Sequence, residues 1–115
     1  MNKPIIVCLC GSTRFKDTYE VVMREETLKG KIVLSVGMYG HIEMPDMVCG
    51  GPVKEMLDEL HLRKIDLSDE VLILNVGGYI GESTYREMVY AYKNGKVLRF
   101  LEPVSNDYRE YHGIL

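Results

Sequence analysis

Apolar runs alternate along the chain with segments whose apolar residues recur at helical spacing. The apolar runs predict four β-strands, over Pro4–Cys10, Lys31–Val36, Glu70–Val76 and Lys96–Leu101. The segments between them predict helices over Phe15–Lys29 and Val53–Leu67, and a third from about Glu82 to Gly95. Strands that alternate with helices are typical of α/β domains. We therefore expect a parallel sheet of four or five strands in a three-layer arrangement, with helices on both faces.

The strands are not equivalent. Pro4–Cys10 and Glu70–Val76 are apolar almost throughout, which is typical of central strands covered on both faces. Charged residues interrupt the last strand, so we place it nearer an edge. The residues predicted to face the core from the first two helices are Tyr19, Val22, Met23, Leu28, Leu57, Leu60 and Ile65.

Three loops follow strands and so fall on one edge of the predicted sheet. They are Gly11–Arg14, Gly37–Pro52 and Gly77–Ser83. Ligands of open parallel sheets bind at this edge, where the carboxyl ends of the strands meet. The loop Gly37–Pro52 is long for a compact domain, and it is either a lid or binding segment or a disordered connection.

The first and third of these loops carry groups that suit an anion or a sugar. Gly11–Arg14 offers backbone N–H groups, two hydroxyls and a guanidinium, although Ser12 and Thr13 could equally be helix N-caps. The glycines of the third loop allow a tight turn and close backbone approach to a ligand. The N-terminal N–H groups of the next helix then form a seat for an anion.

Two glutamates of that helix differ in their neighbours. Glu82 has Arg86 four residues later, so a surface ion pair explains it. Glu87 has no basic residue at helical spacing, which makes it a candidate functional carboxylate. His61 shares the inward row of its helix and is either a hydrogen-bonded core residue or a catalyst. Asn75, at a strand end, either contacts a ligand or ties down a neighbouring loop.

Composition narrows the function classes. The chain has 115 residues, which suit a single domain over 1–115. Its polar tail from about residue 102 carries Tyr108 and Tyr111 and could pack on a neighbouring subunit. The net charge of −3 and the lack of a basic patch argue against nucleic-acid binding. No apolar run reaches the ~18 residues of a membrane span, and no signal pattern opens the chain. We therefore expect a cytoplasmic protein.

The chain has three cysteines, Cys8, Cys10 and Cys49. Because their number is odd and the protein is expected to be cytoplasmic, a disulfide framework is not expected. Side chains alternate between the two faces along a strand, so Cys8 and Cys10, with one residue between them, should place both sulfurs on the same face. Metal binding would need two further ligands, and we expect plain buried thiols.

Two motifs resemble a known family. Leu9-Cys-Gly-Ser-Thr-Arg14 after the first strand, with Glu87 in a helix behind a glycine turn, resembles the nucleoside 2-deoxyribosyltransferase superfamily, which includes 2'-deoxynucleoside 5'-phosphate N-hydrolases. The chain looks like a short branch with the signatures His61-Leu-Arg-Lys-Ile-Asp66 and Asn75-Val-Gly-Gly-Tyr-Ile-Gly-Glu-Ser-Thr84. The resemblance covers about residues 4 to 101.

The resemblance implies a flavodoxin-like domain without metal or organic cofactor, in a homo-oligomer that binds a nucleoside or nucleotide. It implies that Glu87 attacks the anomeric carbon and forms a covalent glycosyl-enzyme. His61 stands where many members carry an aspartate, and it could protonate the departing base. Leu9 stands where family transferases carry a tyrosine. The residues expected to hold the substrate are Gly11, Ser12, Thr13, Arg14, Asn75, Gly78, Gly81 and Ser83.

The expected function is therefore cleavage or exchange of an N-glycosidic bond. The alternatives are a non-catalytic nucleotide-binding module of the same fold and an oligomeric scaffold with a vestigial pocket.

Overall fold

The structure, a computed structural model, describes residues 3–47 and 50–104. It is an α/β domain whose four strands form one all-parallel sheet in the order β2-β1-β3-β4. The strands are β1 (Ile6–Cys10), β2 (Ile32–Leu34), β3 (Glu70–Ile73) and β4 (Val97–Phe100). The helices are α1 (Lys16–Leu28), α2 (Gly40–Glu43), α3 (Gly51–Leu67) and α4 (Glu82–Lys93), and two 3-10 turns cover Pro45–Met47 and Val76–Gly78. This architecture is compatible with the flavodoxin-like or Rossmann-like fold expected from the sequence.

Strand order follows strand composition. The two most apolar strands, β1 and β3, pair in the centre, with Cys8 opposite Val71 and Leu9 opposite Leu72. The three-residue β2 and the charge-bearing β4 form the edges. The predicted central and edge positions are therefore confirmed, although each strand is shorter than its apolar run.

Alternation along the strands produces two core layers. One face of the sheet packs against α1 and contains Val7, Leu9, Tyr19, Val22, Leu72 and Leu74. The other face packs against α3 and α4 and contains Cys8, Cys10, Ile65, Val71, Ile73, Met88 and Ala91. Helices thus cover both faces, as the three-layer prediction requires. None of the helices that the structure describes is long and apolar enough to cross a membrane.

The prediction that Leu28 and Leu60 face the core is wrong. Leu28 is 81 % exposed and Leu60 is half exposed. The buried stripe of α1 runs through Tyr19, Val22 and Glu26, and Leu28 lies two residues beyond it, which turns its side chain toward solvent.

The carboxylate of Glu26 is buried, and a network of oppositely charged side chains compensates for its loss of hydration. Its carboxylate accepts hydrogen bonds from the guanidinium of Arg99 on β4 and, at 2.8 Å, from Lys29. Arg99 also donates to Glu70 at 2.9 Å, and Lys31 lies 2.6 Å from Glu70. The network connects α1 to β3 and β4, and Arg99 holds the pKa of Glu26 down at about 2.

Three residues named in the sequence analysis lie outside the described residues. Cys49 falls in the gap after residue 47, and Tyr108 and Tyr111 follow residue 104. Residues 101–104 continue from β4 and return toward β3, where the Glu102 backbone meets Asn75.

Candidate active site

A cavity of about 230 Å³ opens at the carboxyl ends of the strands. The three loops predicted to meet at this edge all contribute to it, together with α3 and α4. The residues that line it are Gly11, Ser12, Thr13, Arg14, Val36, Met38, Gly40, His41, Lys54, Leu57, Asp58, Leu60, His61, Lys64, Tyr79, Gly81, Glu82, Ser83, Thr84 and Glu87. Its volume lies just below the ~300 Å³ at which small-molecule pockets usually begin, so it suits a compact ligand.

The loop after β1 passes close to the end of β3. A Cβ on Gly11 would lie 3.0 Å from the Cβ of Leu74, so only glycine fits without a shift. The hydroxyl of Tyr19 donates to the Gly11 carbonyl at 2.7 Å and holds the turn on its other side. The Ser12 hydroxyl accepts from the backbone N–H of Arg14 at 3.3 Å, an interaction local to the loop. Backbone packing thus fixes the position of this loop at the cavity.

The long segment after β2 lies against that loop. Its short helix α2 brings the backbone N–H of His41 to the Thr13 hydroxyl, to which it donates at 3.1 Å. The ring Nδ1 of His41 also lies 2.5 Å from Thr13 Oγ1. Met38 and Gly40 line the cavity as well. The part of the segment described by the structure is therefore folded onto the cavity, which favours the binding interpretation over a disordered connection.

Helix α4 carries the central carboxylate. It begins after Gly81, where a Cβ would lie 3.0 Å from the hydroxyl of Tyr79. Glu87 lies one and a half turns further along, with its side chain only 15 % exposed and bordering the cavity. Glu82 instead pairs with Arg86, and its side chain is 79 % exposed. The contrast between these two glutamates, predicted from their neighbours, is confirmed.

His61 projects from α3 to the same place. Its Nε2 lies 3.6 Å from Oε2 of Glu87. The same nitrogen lies 3.1 Å from the carbonyl oxygen of Leu9, which can only accept a hydrogen bond. His61 is therefore the hydrogen-bonded core residue that one interpretation expected, and it also contacts the candidate carboxylate. Its catalytic role stays a prediction.

Burial controls the protonation of this pair. Loss of hydration raises the pKa of Glu87 from 4.5 to about 7, although the positive charge available on His61 opposes that rise. Burial by itself would lower the pKa of His61, but hydrogen bonding with Cys8 and the charge of Glu87 outweigh it and raise that pKa. The two groups are therefore coupled, because the charge of each lowers the free energy of the charged form of the other.

Two buried thiols lie behind the histidine. Cys8 Sγ is 3.6 Å and Cys10 Sγ is 3.3 Å from His61 Nε2. Hydrogen bonding with Cys10 and with His61 lowers the pKa of Cys8 against the effect of burial, whereas burial raises the pKa of Cys10. Both sulfurs lie on the α3 face of the sheet, as the alternation predicts.

Two of the ten predicted site residues do not reach the cavity. Asn75 is buried, and both ends of its amide are used by the backbone of Glu102, at 2.9 Å each. It ties down the segment after β4, which is the other role that the sequence left open. Gly78 is exposed in the turn after β3. Its φ of +83° is a left-handed backbone conformation that glycine adopts readily, so it allows the chain to turn there. The other eight residues line the cavity together.

Sequence reasoning missed a polar stripe on α3. Lys54 and Asp58 lie four residues apart on α3 and form an ion pair at 2.6 Å. The ammonium of Lys54 also donates to the Ser83 hydroxyl at 3.2 Å, which joins α3 to the first turn of α4 beside the cavity. The spacing of Lys54, Asp58 and His61 at i, i+4 and i+7 places all three on one face and could have revealed the stripe.

Comparisons of the chain with protein-family models, with curated proteins and with solved structures find no match. The functional argument therefore rests on the residues of the cavity.

Proposed function

We propose that the protein cleaves or exchanges the N-glycosidic bond of a (deoxy)nucleoside or its 5'-monophosphate, with Glu87 as the nucleophile. The observation that carries this proposal is the position of the Glu87 carboxylate. It borders a cavity of ligand size, its Oε2 lies 3.6 Å from His61 Nε2, and the hydroxyl-bearing loop after β1 lines the same cavity. A retaining glycosidase uses a carboxylate nucleophile and a second group that acts as acid and then base, which is a carboxyl group in most such enzymes and would be His61 here.

The reaction has two steps. An oxygen of ionised Glu87 bonds to the anomeric carbon of the sugar while the bond from that carbon to the base nitrogen breaks. The bonding electron pair leaves with the base, and a proton from His61 or from water neutralises it. Water, or a second base, then attacks the anomeric carbon, releases Glu87 as a carboxylate and gives up a proton.

The loops around the carboxylate supply complementary groups for the rest of the substrate. Ser12, Thr13 and Arg14 offer donors suited to a phosphate or sugar hydroxyl. The first turn of α4 directs its N–H groups toward the cavity edge near Ser83, and no described side chain caps that helix. A 5'-phosphate in that region would be stabilised by the helix terminus and by the ammonium of Lys54.

A second candidate is a nucleotide-binding module that uses the cavity without turnover. The raised pKa of Glu87 favours it, because a carboxyl with a pKa of about 7 is only half ionised at neutral pH. A protonated carboxyl can donate a hydrogen bond to a ligand but is a poor nucleophile. The homo-oligomer expected from the resemblance remains a prediction for either function.

Chromatography of the bases released from a panel of nucleosides tests the proposal. Deoxynucleosides and deoxynucleoside 5'-monophosphates are incubated with the wild type, Glu87→Gln and Glu82→Gln, with and without a second free base. We expect base release by the wild type and by Glu82→Gln, and a loss on the order of 10³-fold or more in Glu87→Gln. Glu82 is the matched control because it lies on the same helix, borders the same cavity and keeps its side chain in solvent.

Each outcome separates the candidates. Base release that depends on Glu87 supports the glycosidic proposal, and exchange with the added base distinguishes transfer from hydrolysis. Equal release by Glu87→Gln and the wild type would refute the role of Glu87. No release from any substrate, accompanied by a rise in Tm with nucleotides, would establish the binding module instead.

A further inference from the structure

The residues behind Glu87 form a cluster of metal-ligating atoms. Cys8 and Cys10 come from the buried strand β1, and His61 comes from α3. One ligand atom from each lies within 4.8 Å of those of the other two. The alternation of β1 explains how two residues with one between them direct both sulfurs to the same face. The structure thus supplies a third ligand that was not apparent from the sequence.

The spacing of these atoms matches a tetrahedral zinc site. With Zn–S near 2.3 Å and Zn–N near 2.0 Å, tetrahedral angles place sulfur and nitrogen about 3.5 Å apart. The observed separations are 3.6 Å from Cys8 Sγ to His61 Nε2 and 3.3 Å from Cys10 Sγ to His61 Nε2. The histidine nitrogen therefore already lies at ligand spacing from both sulfurs. The two sulfurs lie within 4.8 Å of each other, against the ~3.8 Å expected for two thiolates on one zinc ion.

The carboxylate of Glu87 is the candidate for a fourth ligand, on the cavity side. It is not among the atoms that lie within 4.8 Å of one another, so its side chain would have to turn toward the sulfurs to reach the ion. Oε2 of Glu87 is 3.6 Å from His61 Nε2, close to the ~3.3 Å expected between a nitrogen and an oxygen ligand on one zinc ion. Both thiols are fully buried, whereas His61 and Glu87 line the cavity. An ion could therefore enter through the cavity and reach the sulfurs past these two side chains.

We propose that Cys8, Cys10, His61 and Glu87 form a binding site for a thiophilic divalent cation such as Zn²⁺. On binding, each thiol releases a proton to solvent, and so does Glu87 where it is protonated. The proton of the neutral His61 ring moves from Nε2, which donates to the Leu9 carbonyl in the metal-free protein, to Nδ1, and this leaves the Nε2 lone pair for the ion. Two thiolates and one carboxylate carry three negative charges against the two positive charges of the ion, so the occupied site has a net charge of −1. Soft sulfur ligands select zinc over magnesium or calcium, which prefer oxygen.

The site competes with the proposed reaction. Glu87 cannot attack a sugar while its oxygen is bound to the ion, so Zn²⁺ should act as a reversible inhibitor. This consequence rests on the proposed function, whereas metal binding itself does not. The two can be tested separately because binding is measured without any substrate.

Spectroscopic titration with Co²⁺ is the direct test of the site. The reduced, metal-free protein is titrated with Co²⁺, and the near-ultraviolet thiolate-to-cobalt absorption is followed to saturation; Zn²⁺ should then displace the cobalt. We expect one equivalent per chain with an intensity corresponding to two sulfurs. An absorption spectrum without thiolate bands in the folded wild type would overturn the proposal without recourse to any variant.

Variants locate the site. Cys8→Ser and His61→Gln should each weaken Zn²⁺ binding by about 100-fold or more, since even outer-shell changes at metal sites cost 10- to 100-fold. Glu87→Gln should retain the two-sulfur absorption with weaker binding. Cys49→Ser is the matched control because it removes the third thiol of the chain, and it should bind as the wild type does. Loss of binding in Cys49→Ser alone would overturn the assignment.

Inhibition is the final readout. If the wild type releases base, saturating Zn²⁺ should abolish that release, and a chelator should restore it. Full activity at a Zn²⁺ concentration that saturates the cobalt-competent site would refute Glu87 as a ligand.

Discussion

Replacement of Glu87 by glutamine should stabilise the folded protein at alkaline pH. The carboxyl has a pKa of about 7 in the folded state and 4.5 as its ordinary value, because burial disfavours the charged form. The folded state therefore holds its proton more tightly than the unfolded chain does. In the wild type, this difference makes the free energy of unfolding decrease as pH rises from about 4.5 to 7. Glutamine keeps the shape of the side chain and never ionises.

The size of the effect follows from the two pKa values. A shift of one unit corresponds to about 1.4 kcal/mol, so the charged form costs about 3 kcal/mol once the pH is well above 7. Linkage predicts that Glu87→Gln exceeds the wild type in stability by about 1 kcal/mol at pH 5, about 2 at pH 6 and about 3 at pH 8. Below pH 4 the two proteins should converge, since the carboxyl is then protonated in both states.

Urea unfolding of both proteins at several pH values measures this difference. Chelator is added throughout so that no metal ion binds Glu87. Glu82→Gln is the control and should stay within about 0.5 kcal/mol of the wild type, because its side chain is largely in solvent. The charge of Glu87 also raises the pKa of His61, so repeating the comparison in a His61→Gln background isolates the carboxyl. A difference that is independent of pH, or one that grows as pH falls, would refute the reasoning.

Two further substitutions test the scaffold. Glu26→Gln should destabilise the protein by about 3 kcal/mol at pH 7, because hydrogen bonding with Arg99 depresses the pKa of Glu26 from 4.5 to about 2. That stabilisation is present above pH 4.5 and lost as pH falls toward 2, so the cost in urea unfolding should halve near pH 3; a constant cost would show a steric effect. Gly11→Ala should cost about 1–3 kcal/mol by crowding Leu74, and a Tm equal to that of the wild type would show that the β1 loop adjusts freely.

The candidate carboxylate could be singled out from local spacing, because the lack of a basic neighbour is a local property. Glu82 has a basic neighbour one turn away, and Glu87 has none, so the side chains were distinguishable before any fold was known. The raised pKa of Glu87 was not predictable, since it depends on burial by residues from other elements. The same holds for Glu26, whose partner Arg99 is 73 residues away in sequence.

The roles of Asn75 and Leu28 could not be predicted from neighbouring residues alone. Asn75 at the end of a strand is compatible with ligand binding or with an internal hydrogen bond, and only the return of the chain at Glu102 decides between them. Leu28 belongs to a helix with more apolar residues than its buried face can accommodate. Its exposure depends on the rotation of α1 that buries Glu26.

The sequence by itself determined the α/β class, the central position of β1 and β3, and the edge of the sheet where the loops meet. These follow from short-range periodicity and from the direction of parallel strands, which fixes where strand ends lie. Only the tertiary structure decided that His61 lies between Glu87 and two thiols, because these atoms come from β1, α3 and α4. Their distances and protonation depend on how those elements pack, and packing is a property of the whole chain.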